Sequence, residues 1–349
     1  MTALSNEQKV ALKLPKMGAI NVYIQGTRGP KEQIILTVHD LGCNHYQYEE
    51  FLSNPKMSAL SQKFVWIHVD LPGQGDGDED LETNFPSMED IALDLQELCV
   101  QMKLSNVLLF GEGAGANILA RFAINSEHLV LGAILIHCVG STASMIESLK
   151  DKVINWKLNS IGMNPTAESY LVLHRFGTVR FNFKNAENET ELKNVIESFK
   201  YNLRNSINPK NLYKFINSFM TRRNLGERIA KLNTPTLFIT GAAAIHCKNV
   251  HLLQETLLKT KPADQKVKFE LVQIDGVANV LTEAPEKVVV SLQYFLQGLG
   301  LVSNLRLSNE PIKINRRMSM EDYDRPRGTG SFSSSLQSPI KISTLDEAY

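Results

Sequence analysis

Residues 106–120 read NVLLF-GEGAG-ANILA, an apolar run, a glycine-rich turn and a helical pattern in succession. In G-x-S-x-G enzymes this order lifts a serine or cysteine onto a sharp strand-to-helix turn, where it attacks a carbonyl. The central position here is Gly113, which carries no side chain. The partners of such a nucleophile can be sought by position. An acid belongs after the run that ends at Thr240, and the turn there reads Gly241-Ala242-Ala243-Ala244. A histidine belongs after the last strand, and counting back from the landmarks Glu283, Ala284 and Pro285 places Ala278 there. Triad chemistry requires a nucleophile, a base and an orienting group in contact. With Gly113, Ala244 and Ala278 at those positions, the sequence predicts no enzyme of this kind.

Two other chemistries share these segments. Gly111-Glu112-Gly113-Ala114-Gly115-Ala116 also fits the G-x-G-x-x-G/A dinucleotide fingerprint. That reading wants the motif after the first strand and an acid closing the next one. Here two apolar runs precede the motif, and the next strand closes on His137-Cys138. A non-standard nucleophile is the second alternative: Cys43 has His45 two residues on, and a thiolate beside an imidazole is nucleophilic.

The elements that must position these residues follow from the hydrophobic pattern. Continuous apolar runs at 34–38, 64–69, 106–110, 131–139, 236–240 and 266–274 suit parallel strands buried on both faces. A hairpin is expected around 16–25. Helical patterns at 87–101, 114–124 and 285–296 alternate with the runs, which implies βαβ units and a mostly parallel sheet. The first of these helices opens on Ser87, a residue suited to capping, with acids in its first turn. From 140 to 233 four more helices are expected, at 144–159, 166–176, 189–205 and 208–223. A crossover needs one helix, so this stretch reads as a helical cap inserted over one end of the sheet. The resulting expectation is an α/β-hydrolase fold. An N-terminal segment (1–15) precedes a core of 16–139 and 234–301, the cap spans 140–233, and a disordered serine-rich tail covers 302–349.

Thirty-seven Lys and Arg balance thirty-seven Asp and Glu, which gives no reason to expect a nucleic-acid partner. Four scattered cysteines form no C-x-x-C pair, so neither a metal nor another cofactor is expected. The start has no apolar signal region and no run reaches membrane-spanning length, so the reading is a cytoplasmic protein with no integral membrane segment.

Several stretches together resemble the N-myc downstream-regulated (NDRG) family. They are Val38-His39-Asp40-Leu41-Gly42-Cys43-Asn44-His45, His68-Val69-Asp70-Leu71-Pro72-Gly73-Gln74, Pro86-Ser87-Met88 and Gly111–Ala116. Arg175-Phe176-Gly177, Ile207-Asn208-Pro209-Lys210-Asn211-Leu212 and Arg222-Arg223-Asn224-Leu225 continue the likeness, which runs from about Met17 to Leu301. The resemblance implies an α/β-hydrolase fold without hydrolytic residues, in a cytoplasmic protein of stress response, differentiation or signal transduction.

Loops that follow parallel strands gather at one end of a sheet, where ligands bind. His39, Asp40, Gly113, Ala114 and Asp275 are therefore expected to meet beneath the cap as a vestigial pocket. The plainer reading, which is preferred, is that His39 and Asp40 cap a turn by hydrogen bonding. In the tail, Arg316-Arg317-Met318-Ser319 fits a basophilic kinase site. Ser331 opens a serine cluster and Ser338 precedes Pro339. A kinase is the partner those sites imply; the protein partners themselves are not legible.

Overall fold

In the computed structural model, residues 7–26, 33–141, 162–178, 189–261 and 269–302 are described. Their strands are β1 (Glu7–Leu14), β2 (Gly18–Gln25), β3 (Gln33–Val38), β4 (Phe64–Val69), β5 (Val107–Glu112), β6 (Val130–Ile136), β7 (Thr236–Gly241) and β8 (Phe269–Ile274). They form one sheet in the order β1-β2-β4-β3-β5-β6-β7-β8. β1 pairs antiparallel with β2, and β2 antiparallel with β4; from β4 to β8 every pairing is parallel. The opening hairpin is longer than expected, because Glu7–Leu14 pairs along the whole of β2. Its exposed-to-intermediate burial pattern is that of an edge strand with one wet face, which weakens any apolar signal.

The continuous apolar runs resolve into two faces by the two-residue period of a strand. Val65 and Ile67 of β4 pack on one side with Leu36, Leu109 and Leu135; Phe64 and Trp66 pack on the other with Ile35, Leu108, Phe110 and Ile134. The first face is covered by α3 (Met88–Gln101) and α4 (Gly113–Asn125). The second is covered by α1 (Glu49–Ser53) and α2 (Pro55–Ser61) after β3, and by Val280–Glu283 and Pro285–Gly298 after β8. The Ser87 side chain accepts the Asp90 amide at 3.1 Å, so it caps α3 as its position suggests.

Between β6 and β7 the described helices are α5 (Pro165–Phe176), α6 (Glu189–Asn205) and α7 (Pro209–Met220). Asn164 and Asn208 cap α5 and α7, each followed by proline at the first helical position, where its missing N–H costs nothing. Leu171, Phe176, Ile196, Phe199, Leu203, Phe215 and Phe219 join the same apolar cluster as Leu41, Ile91 and Ala114. The inserted helices therefore share the core of the α3/α4 face. After β7 comes α8 (Cys247–Thr260), then α9 (Val280–Glu283) and α10 (Pro285–Gly298) beyond β8. The helix expected at 144–159 and the tail from 303 onward lie outside the described residues.

Candidate functional site

β5 ends at Glu112 and α4 begins at Gly113, so the chain turns from strand to helix without an intervening residue. Gly113 has φ +55°, a left-handed conformation that costs other residues about 1–2 kcal/mol. Space constrains the position further. A Cβ on Gly113 would lie 2.3 Å from the carboxylate of Asp40. Two residues on, a Cβ on Gly115 would lie 2.1 Å from the Val38 carbonyl oxygen. Backbone cannot swing aside as a flexible side chain can. Gly115→Ala is therefore expected to cost about 3 kcal/mol, at the upper end for overpacking, measured as a shift in denaturation midpoint; an unchanged midpoint would mean that helix and strand do not press together here.

Asp40 is the centre of the arrangement. Its Oδ1 accepts the Ala114 amide at 2.7 Å, and the Leu41 amide also donates to this carboxylate. Its Oδ2 lies 3.1 Å from Nε2 of His174, in the last turn of α5. Nδ1 of His174 is in turn 3.1 Å from Nε2 of His246, the residue before α8. Gln47 ties the group together: its Oε1 accepts the Asp40 amide at 2.6 Å and its Nε2 donates to Glu112 at 2.6 Å. In elbow enzymes the amide after the nucleophile, with one from the loop after β3, receives the oxyanion. Here the residue after Gly113 and a residue of that loop both give their amides to Asp40. One carboxylate thus fills the place of the attacking group and takes the donors meant for a reaction intermediate.

Burial alone would raise the Asp40 carboxyl, but the His174 imidazolium and the two amides outweigh it and hold the carboxyl down to about 2. Burial likewise works against charge on His174, and Asp40 wins, raising it above the ordinary histidine range. The two form a buried ion pair linking the sheet to an inserted helix. Burial pushes Glu112 up to about 7, against the pull of Arg175. Desolvation lowers His137 to about 4 and His246 to about 3. His137 holds φ +50° and bonds Thr240 at 3.1 Å through Nδ1, while its buried Nε2 faces Glu112 Oε1 at 3.9 Å.

Of the residues expected to converge, Asp40, Gly113 and Ala114 do so. His39 stands beside them with a different task. Its Nδ1 lies 2.9 Å from the Asp40 carbonyl and its Nε2 accepts the Leu71 amide at 3.1 Å, which fixes the loops after β3 and β4 to each other. Asp275 is a correction. It is exposed, its carboxylate takes a bond from Gln273 at 3.3 Å, and no described bond joins it to Asp40. The loop after β8 sits at the edge of the sheet and directs it outward. Ala244 caps a turn, its amide donating to the Gly241 carbonyl at 3.1 Å. The Ala278 and Asn279 amides both donate to Glu283, at 2.9 and 2.7 Å, so this landmark acid closes the loop where a catalytic histidine would sit.

The Cys43–His45 pair does not form either. Arg175 donates to the Cys43 sulfur at 2.7 Å, yet burial pushes this thiol up to about 12. His45 turns to Asp70, with its Nδ1 at 2.8 Å, and stacks on Tyr23 at 3.5 Å between ring centroids. The motif follows β5 rather than the first strand, and β6 ends at Ile136 with His137-Cys138 beyond it and no acid, so the dinucleotide reading gains no support from the fold. His174, Arg175, His246, His137 and Glu112 were not anticipated from the sequence. Only Arg175, in Arg175-Phe176-Gly177, and Glu112, in Gly111–Ala116, lay in stretches that carried a signal, and that signal was resemblance. Ser319, Ser331 and Ser338 lie outside the described residues.

The model of the Ndr family matches residues 12–303. The chain belongs to the Ndr family. An uncharacterized Caenorhabditis elegans protein, ZK1073.1, is 35% identical over 92% of this chain and 94% of its own length. Protein NDRG3 of Xenopus laevis is 26% identical over 84% of this chain and 76% of its own, and Xenopus laevis NDRG1-A is 28% identical over 81% and 69%. Among solved structures, a thermophilic esterase from Thermogutta terrifontis superposes with a TM-score of 0.66 at 19% identity, covering 84% of this chain and 99% of that one. The enol-lactonase from Burkholderia xenovorans does so with 0.66 at 13%, covering 82% and 100%. At such identities the likeness carries the fold alone: this Ndr-family chain has the α/β-hydrolase fold. Among its described residues no helix is long and apolar enough to cross a membrane.

Proposed function

We propose that this Ndr-family chain is a catalytically inactive binding protein, an adaptor in cytoplasmic signalling, stress response or differentiation. The observation that carries the inactive reading is the Asp40 carboxylate. It stands 2.3 Å from where a nucleophile's Cβ would be, and it accepts the Ala114 amide at 2.7 Å. A substrate carbonyl entering the elbow would find neither an attacking atom nor a free oxyanion donor. Removing such donors alone costs an enzyme about 10²–10³ in rate. The adaptor role rests on the likeness to NDRG proteins. In this reading the stretch 140–233 acts as a cover over the core of 16–139 and 234–301.

The test is chemical. Incubation with p-nitrophenyl butyrate is expected to give hydrolysis no faster than heat-denatured protein, and a fluorophosphonate is expected to leave the intact mass unchanged. Turnover that disappears in Asp40→Asn, or an adduct on any side chain of this cluster, would overturn the proposal. Control is placed in the tail, where phosphate on Ser319 would add about −2 charge beside Arg316 and Arg317. A basophilic kinase is expected to add one phosphate that Ser319→Ala removes, with Ser331 and Ser338 as further acceptors. Absence of any incorporation would sink that part of the reading.

A further inference from the structure

The chain of buried groups that starts at Asp40 ends near the surface. Asp40 Oδ2 lies 3.1 Å from His174 Nε2, and His174 Nδ1 lies 3.1 Å from His246 Nε2. His174 is buried and His246, the residue before α8, is half-buried, so His246 is the outer link. The two rings meet edge to face, with centroids 4.9 Å apart. This contact ties the turn 241–246 to the inserted helix α5. Apolar packing adds little there: Leu173 and Ile245, the neighbours of the two histidines, remain 40% and 43% exposed. Within the turn, the Ala243 amide donates to the Val277 carbonyl at 2.9 Å and the Cys247 amide to the Ala244 carbonyl at 3.1 Å.

We propose that His246 is an acid-released latch, which holds the turn 241–246 against α5 in neutral surroundings and frees it when His246 takes up a proton. The reason lies in the protons between two facing nitrogens. His174, paired with Asp40, donates from both ring nitrogens, so His246 must present a lone pair at Nε2. The bond also survives with both rings neutral, since one nitrogen then donates and the other accepts. With both rings protonated, two N–H groups and two positive charges face each other at 3.1 Å, and no placement of hydrogens satisfies the contact. The Asp40 carboxylate holds His174 from its other side. His246 is the member that gives way, because Ala242 and Ile245 of its turn already face solvent.

The surrounding charges act in the same sense. Desolvation first, then repulsion from His174 and His137, lowers His246 to about 3, with Asp40 opposing and Arg222 adding to the fall. Glu112 faces His174 and, pushed up to about 7, is neutral in acid, so it attracts no further proton there. On the helix that follows, Cys247 turns to Gln273 and Thr240, His251 turns to Gln273, and Lys248 is exposed. The latched value lies below the ordinary ~6.5 of a freed histidine. Closure is therefore favoured in full above about pH 6.5 and weakens as pH falls toward 3. His174 stays paired with Asp40 in both states and leaves the sign unchanged. Between pH 6.5 and 4.5 the open fraction should rise on the order of fiftyfold.

Amide hydrogen exchange of the full-length protein, corrected for the pH dependence of the exchange chemistry itself, reads the latch in the peptide 241–250. Protection there should fall about tenfold for each pH unit between 6.5 and 4.5. Amides of β5 should still be protected once the turn has exchanged fully, which separates release of the turn from unfolding of the whole chain. These two readings need no variant. In His246→Gln, whose amide oxygen accepts from His174 without gaining a proton, protection of the turn should stay nearly flat across the same range. Protection that is flat in the unsubstituted protein, that falls as steeply in His246→Gln, or that is lost only together with β5 would each overturn the proposal.

Discussion

Gly113→Ser is expected to destabilise the fold by about 3–5 kcal/mol, the usual cost of parting a buried ion pair. The serine Cβ would need the space held by the Asp40 carboxylate. Moving Asp40 would strip the Ala114 amide of its acceptor and leave the His174 imidazolium buried and unpaired. Asp40→Gly alone is also costly, because it orphans the same two groups without refilling the space. Combining the two changes removes the collision and offers the serine hydroxyl to His174 and Ala114. The double variant should therefore be more stable than the sum of the single losses by about 2 kcal/mol or more, read from denaturant midpoints at pH 7. Strict additivity would show that Asp40 and Gly113 are independent, and the account of a filled elbow would fail with it.

Acid should weaken the protein through its buried histidines. Desolvation lowers His68 to about 3, His137 to about 4 and His246 to about 3, and it lowers the buried His39 as well. Each folded-state value lies below the ordinary ~6.5, so the unfolded chain binds the extra protons in between. Their contribution is complete above about pH 6.5 and is lost as pH falls toward 3–4. By pH 5.5 His68, His137 and His246 have each given up about 1.4 kcal/mol, about 4 kcal/mol for the three, and His39 adds in the same direction. Glu112, raised to about 7, and His174, also raised, run the other way, gaining stability as pH falls, and offset part of this loss. A net fall of roughly 2 kcal/mol between pH 7.5 and 5.5 is expected from urea midpoints, a large share of a typical 5–15 kcal/mol. His137→Asn, which tolerates the left-handed backbone there, should flatten the dependence, and Glu112→Gln should steepen it. A midpoint that rises on acidification would contradict the assignment of these histidines as neutral.

Some of this molecule was fixed locally and could be read. The strand at Phe64–Val69 and the helix at Glu189–Asn205 have the bounds that their apolar patterns indicate, because burial periodicity is written residue by residue. The missing nucleophile at Gly113 and the absent partners at Ala244 and Ala278 were also legible, since each position is counted from a nearby landmark. What fills the elbow was not. Asp40 reaches Gly113 across 73 positions, and His174 comes from an inserted helix another 134 residues beyond Asp40. No local pattern encodes which side chain of one loop will enter the cavity left by another. For the same reason Asp275, adjacent in the expected list, faces solvent, and Cys43 and His45, adjacent in the chain, bond to Arg175 and Asp70 instead of each other. The sequence by itself determined the parallel strands, the helices near 87–101, 114–124 and 285–296 and the residue types at the elbow positions, because those depend on residue type and period. Only the tertiary structure decided that the turn at Gly113 is closed by the Asp40 carboxylate and the His174 imidazolium, because that depends on distances between segments far apart in the chain.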